Sequence, residues 1–206
     1  KPLSRLETRS LVTDILVRVD DLPQHLADLI VNTADGNPFY VEEIIKMLID
    51  DSIIVKGEDH WQIDASRLTD LRIPATLTGV LQARLDALPP DEREVLQRAS
   101  VVGRIFWSEI LTRLHADGDA PLPDLDRILT SLRDRELIRS REMSVFDGAQ
   151  EFIFRHTILH DVTYESVLRR VRRVYHAQVA EWLIERSGDR LSEYTGMIAR
   201  HYEQAG

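Results

Sequence analysis

Apolar residues recur along most of this chain at intervals of three and four, the spacing that turns one stripe of a helix inward. The first such stretch is Ser4 to Val19, where Leu6, Leu11, Ile15 and Leu16 define the stripe. Leu22-Pro23 opens a second helix, His25 to Ala34, which Gly36 ends. A third runs from Pro38 to Asp51, with Phe39, Ile44, Ile45, Leu48 and Ile49 apolar. Ile53 to Val55 and Trp61 to Ile63 then flank Lys56-Gly57-Glu58-Asp59, a turn between two short strands that predicts a β-hairpin. Pro74 starts a further helix that continues to about Leu88.

Leu88-Pro89-Pro90-Asp91 marks a boundary, because two prolines stop a helix and Asp91 suits the first turn of the next. Helices are predicted over Asp91 to Val101, Trp107 to Leu114 and Leu125 to Arg135, with a polar, turn-forming loop from Ala116 to Pro123. A hairpin pairs Leu137 to Arg141 with Glu151 to Phe154 across a tip near Asp147-Gly148. Three helices followed by a hairpin is the winged-helix pattern. From Thr157 to Gly206 the chain reads as helix again, broken near Leu168-Arg169 and near Ser187-Gly188-Asp189. The expected fold is therefore mainly α, with a helical first part carrying a short hairpin, a winged helix, and the start of a helical array.

Composition narrows the classes. Hydrophobic residues make up 43% and charged residues 30% of the 206, ordinary for a globular protein. No apolar run reaches the ~20 residues of a membrane-spanning helix. There is no cysteine, which excludes disulfides and thiolate metal sites and makes a reducing cytoplasm the default. A net charge of -9 argues against a protein that wraps nucleic acid or lies on an anionic membrane. Lys1-Pro2-Leu3 is not a natural start, so a piece of a longer chain is expected.

Several candidate chemistries fail on residue type. The expected third helix of the winged helix, "LDRILTSLRDREL", sets Asp126, Asp134 and Glu136 against Arg127, Arg133 and Arg135, which does not suit a DNA-reading helix. Arg169, Arg170, Arg172 and Arg173 read as a solvated helix face, with Val171, Val174 and Tyr175 as the buried stripe; a docking surface for an acidic partner is the other reading. His156 and His160 stand four apart in "HTILH", but Thr157 occupies the place of the glutamate base of a zinc hydrolase and no third ligand is nominated. No G-x-S-x-G elbow and no phosphate-binding G-x-x-x-x-G-K-[ST] loop occurs, so no catalytic residue and no enzyme is expected in this chain by itself.

Two stretches remain. In "ADGNPFYVEEI", Gly36 permits a left-handed turn, Asn37 can cap a helix and Pro38 suits its first position. That is either a well-made loop-to-helix joint or a rigid helix start facing a ligand. Glu42 and Glu43 close behind it would repel phosphate, so a nucleotide here would be held by its base. In "QEFIFRHTILHDV", Arg155 and His156 sit where a strand hands over to a helix. A histidine there can donate to an anion, which the backbone N–H groups and dipole of the helix start also favour. A free imidazolium is disfavoured at that end, so a neutral donor or a phosphate-compensated cation is expected.

"GNPFYVEEI", "LQARLDALPPDEREVLQRASVVGRIF", "FIFRHTILHDVTYESVL" and "ARHYEQAG" together resemble the signal-transduction ATPases called STAND proteins. The likeness is to the bacterial branch of large LuxR-type regulators and ATPase-linked adenylyl cyclases, and it extends over nearly the whole chain. It implies a helical lid at residues 1 to 88, a winged helix at 89 to 168, and a helical linker or the first helices of a TPR-like sensor at 169 to 206. It also implies that Gly36, Asn37 and Pro38 are the family's G-x-P motif, with the proline near an adenine. His156 would be the winged-helix histidine that approaches the β-phosphate of ADP and holds the closed, inactive state. Arg155 and Thr157 replace the Met and Asp that flank this histidine in the plant and animal relatives; an Arg-His pair is usual in the bacterial branch. The resemblance implies ATP or ADP with Mg in an intact parent and no cofactor in this piece. Partners would be the parent's own nucleotide-binding core and sensor repeats, with no direct nucleic acid and no membrane. The alternatives are a winged-helix transcriptional regulator that binds nucleic acid and a helical protein-interaction scaffold.

Overall fold

A computed structural model of the chain describes residues 1–68, 71–114 and 124–206. It is mainly helical with two small antiparallel sheets, and it divides into two compact units, Lys1–Ala87 and Leu88–Gly206.

The first unit contains α1 (Arg5–Ile15), α2 (Gln24–Ala34), α3 (Pro38–Asp50), the hairpin β1 (Ile54–Lys56) and β2 (Trp61–Ile63), α4 (Ala65–Leu68) and α5 (Leu77–Asp86). A capping box starts α1: the Ser4 hydroxyl accepts from the Glu7 N–H and the Glu7 carboxylate accepts from the Ser4 N–H. The helix ends at Ile15, short of the expected Val19, because the hairpin claims the residues beyond it. The Trp61 N–H donates to the Arg18 carbonyl at 2.7 Å, and Val19 bridges to Trp61. The inward stripe of α1 is Thr8, Val12 and Leu16, with Leu11 and Ile15 beside it; Leu6, expected on that stripe, is 81% exposed.

α5 starts at Leu77, three residues after Pro74, for two local reasons. The Thr76 hydroxyl caps it by accepting from the Gly79 N–H at 3.0 Å. The Pro74 carbonyl already accepts the Tyr40 hydroxyl at 2.7 Å, which fixes it outside the helix. Leu26, Ile30, Val41, Ile44, Leu48 and Val80 form the centre of this core, all fully buried.

The second unit runs α6 (Pro90–Val102), β3 (Ile105–Trp107), α7 (Ser108–Arg113), α8 (Leu125–Asp134), β4 (Ile138–Ser140), β5 (Glu151–Phe154), α9 (Thr157–Ser166), α10 (Arg169–Ser187), a short 3₁₀ turn (Gly188–Arg190) and α11 (Leu191–Ala205). The predicted loop from Ala116 to Pro123 lies wholly outside the described residues, which stop at Leu114 and resume at Asp124. The predicted hairpin forms, but as part of a three-stranded sheet in the order β3-β5-β4, with Phe106 opposite Phe152 and Arg139 opposite Ile153. Trp107, expected to open a helix, is therefore the last residue of a strand, paired with Glu151.

α10 and α11 pack on each other, and α10 packs on α6 and α7, so residues 169 to 206 belong to this second unit. The buried face of α10 is His176, Val179, Ala180, Trp182 and Leu183. Val174, expected within the buried stripe, is 53% exposed, and Val171 and Tyr175 are half-buried. An aromatic cluster ties the hairpin tip to these helices: Phe146 lies 5.0 Å from Trp107, 5.2 Å from Trp182 and 5.1 Å from Tyr194, centroid to centroid.

Candidate functional site

In the first unit, Asp35 ends α2 in the left-handed region (φ 45) and Gly36 follows at φ 76. The glycine is required twice over. A side chain would be strained at that φ, and a Cβ would lie 2.3 Å from the Leu3 carbonyl oxygen, because the segment before α1 crosses here. The Leu3 N–H donates to the Gly36 carbonyl at 2.8 Å. The Asn37 side chain accepts from the N–H groups of Phe39 and Tyr40 at 3.1 and 3.3 Å, and Pro38 is the first helical residue. Asn37 and Pro38 are exposed, so their outer faces are available to a ligand.

Glu43 does not stand free behind this helix start to repel phosphate, as its place in the sequence suggested. It is 2% exposed and turned into the core, where the Arg84 guanidinium pairs with it and Lys46 Nζ lies 3.1 Å from its other oxygen. Arg84, also 2% exposed, reaches Asp50 through Nε at 2.9 Å. The charge of Glu43 is spent in a buried network joining α3 to α5, while the Glu42 side chain stays 44% exposed, 3.9 Å from Lys46.

In the second unit, β5 ends at Phe154 and α9 begins at Thr157, which makes His156 the residue before the first helical turn. Its backbone is extended (φ -134, ψ 143), its carbonyl accepts the His160 N–H at 3.2 Å, and no side chain caps the helix. Arg155 is held by its backbone N–H on the Leu137 carbonyl at 3.0 Å, with its guanidinium 3.6 Å from Glu136. Both ring nitrogens of His160, one turn on, are engaged within the second unit. Its Nε2 is 3.0 Å from the Ser100 carbonyl oxygen, its Nδ1 is 2.9 Å from the Asp161 carboxylate, and its ring meets Phe154 edge-on. No cluster of metal-ligating side chains occurs among the described residues.

A third group is absent from the sequence reading. His176 on α10 and His201 on α11 are both buried, with their Nδ1 atoms 2.8 Å apart. The Tyr164 hydroxyl on α9 lies 2.9 Å from His176 Nε2, and His201 also hydrogen-bonds the Val102 backbone at the end of α6. Four helices thus meet in one polar chain. Two nitrogens can share one proton between them only if at least one ring lacks its own, so the contact requires a neutral imidazole. Burial, with Arg172 nearby, pushes His176 down to about 4; burial, with His176 and Arg200, does the same to His201. "ARHYEQAG" held His201 in view, but its partner lies 25 residues away, and only the packing of α10 on α11 joins them.

α8 carries little free positive charge. Arg127 pairs with Asp91 at 2.6 Å and Arg135 with Glu92 at 3.2 Å, while Asp126 and Asp134 are exposed beside Arg133. We expect no duplex DNA binding at physiological salt. A mobility shift with random-sequence DNA at about micromolar protein would show the opposite.

No family model matches the chain. A protein of Rhizobium meliloti (strain 1021), described as uncharacterized, is 26% identical over 185 residues. The match covers 88% of this chain but 16% of that protein, so the chain spans about a sixth of the relative's length.

Proposed function

We propose that the chain is the regulatory lid and winged-helix module of a STAND-type ATPase switch, acting in the cytoplasm beside a nucleotide-binding core and sensor repeats of the same protein. No helix among the described residues is long and apolar enough to cross a membrane, in keeping with that reading. The observation that carries it is the position of His156. It opens α9 directly after the last strand of a helix-strand-helix-helix-strand-strand unit, on an uncapped helix start whose N–H groups suit an anion. The exposed, rigid Asn37-Pro38 helix start supports the same reading from the other unit.

In this role ADP favours a closed arrangement of the whole protein and ATP an open one. His156 donates to the β-phosphate of ADP in the closed form, and Pro38 packs beside the adenine. The piece alone binds either nucleotide weakly, because it contains no phosphate-cradling loop. In the intact parent, His156→Ala removes one charge-assisted contact, worth about 1.5–3 kcal/mol. The closed-to-open equilibrium then moves about tenfold to a hundredfold toward open. ADP is released faster by that factor, while the 206-residue chain stays folded. A large loss of stability with unchanged ADP release would make His156 a structural residue and overturn the assignment.

A further inference from the structure

Within the second unit a cleft of about 840 Å³ opens between the end of α6, strands β3 and β5, α9 and α11. Its size lies within the ~300–1,000 Å³ typical of small-molecule sites. Ile105, Trp107 and Ile153 of the sheet and Met197 of α11 give it an apolar wall, and Met197 is 41% exposed. The His176–His201 pair lies along it and is uncharged near neutral pH.

The charged groups of the cleft are asymmetric. Glu151 is buried and fully engaged: it accepts from the Trp107 indole N–H at 3.0 Å and the Val145 N–H at 3.1 Å, and it pairs with Arg141. Asp161 lies 2.9 Å from His160 Nδ1, with its side chain 61% exposed to solvent. Arg104 and Arg200, in contrast, line the cleft, are exposed, and have no carboxylate partner among the described residues. In a chain of net charge -9, an apolar cleft with two guanidinia that no carboxylate pairs among the described residues is complementary to a molecule with an apolar body and one anionic end.

We propose that this cleft binds a small apolar acid, one carboxylate on an aliphatic or aromatic body. The carboxylate accepts from the guanidinia of Arg104 and Arg200 at the rim. The body lies on Ile105, Ile153 and Met197 and reaches the Trp107 ring. Thr157, next to His156, lines this cleft, but His156, Asn37 and Pro38 do not, so failure of the acid to bind would leave the switch reading untouched.

The probe is decanoate, titrated into the 206-residue chain and followed by the NMR signal of the Trp107 indole N–H. A saturable shift with a Kd on the order of 0.1 mM is expected. Arg104→Ala with Arg200→Ala should weaken it at least tenfold, and decanol should bind at least tenfold more weakly than decanoate. Either single variant, at an exposed position, serves if the double variant does not fold. No saturation at ten times the expected concentration would overturn the proposal. So would equal binding of decanol, an unchanged affinity in the variants, or a shift confined to signals away from Trp107.

Discussion

On lowering the pH from 7 to 5, the second unit is expected to lose about 2 kcal/mol of stability for each of His176 and His201. Both rings bind protons more weakly in the folded chain, at about 4, than the ordinary value of 6.5 they regain on unfolding. Below 6.5 the unfolded chain takes up protons that the folded one refuses, so acid favours unfolding; the effect saturates near 4, where the folded rings also titrate. Burial comes first, and Arg172 and Arg200 also oppose protonation; the Val102 backbone hydrogen bond to His201 works the other way and is outweighed. Protonation of both rings also sets two N–H donors against each other across 2.8 Å. Urea unfolding at both pH values, read through the tryptophans, measures the loss. A His176→Gln, His201→Gln variant should show a much smaller difference between pH 7 and pH 5, because carboxylates elsewhere titrate equally in both proteins. The same pH dependence in both would show that the pair does not govern acid stability.

Replacing Arg84 with methionine is expected to destabilise the first unit by about 3–5 kcal/mol, the usual cost of removing one partner from a buried ion pair. The methionine fills much of the same volume, so the loss is electrostatic rather than a cavity effect. Without the guanidinium, the buried Glu43 and the partly buried Asp50, on one face of α3, both lose their contact with Arg84. Trp61 is the one tryptophan within residues 1 to 87, and its fluorescence follows the unfolding of this unit. Glu43→Leu added to Arg84→Met should restore part of the loss, since a buried pair replaced by apolar residues is often nearly neutral. A cost below about 1 kcal/mol would place Arg84 among weak, screened surface pairs despite its burial.

Local chemistry accounts for much of what the sequence makes legible. Ser4 with Glu7, Asn37 with Pro38, and the Pro89-Pro90 pair each set a helix start within a residue or two of where it is found. The period of apolar residues identified the long helices and the breaks before Arg169 and after Ser187, because both signals lie within one or two turns of chain. His156 at the strand-to-helix joint was visible for the same reason.

The failures share one cause: the deciding partner is distant. β3 is three residues long and becomes a strand because β5, more than forty residues later, offers it a free edge. α1 stops early because Trp61 pairs with Arg18. Leu6 and Val174 fit helical stripes by spacing, yet no neighbouring element covers them. Glu43 looked like an exposed charge until Arg84 arrived from α5, 41 residues on. The sequence alone determined a mainly helical chain, its principal helix starts and stops, and the local joints at Asn37-Pro38 and at Arg155-His156, since each depends on φ/ψ preference and hydrogen bonds between near neighbours. Only the tertiary structure decided which charges are neutralised inside, that His176 and His201 share a proton between helices, and that an apolar cleft with two unmatched arginines lies beside them. Burial and pairing depend on which surfaces meet, and that is a property of the packed chain rather than of any stretch within it.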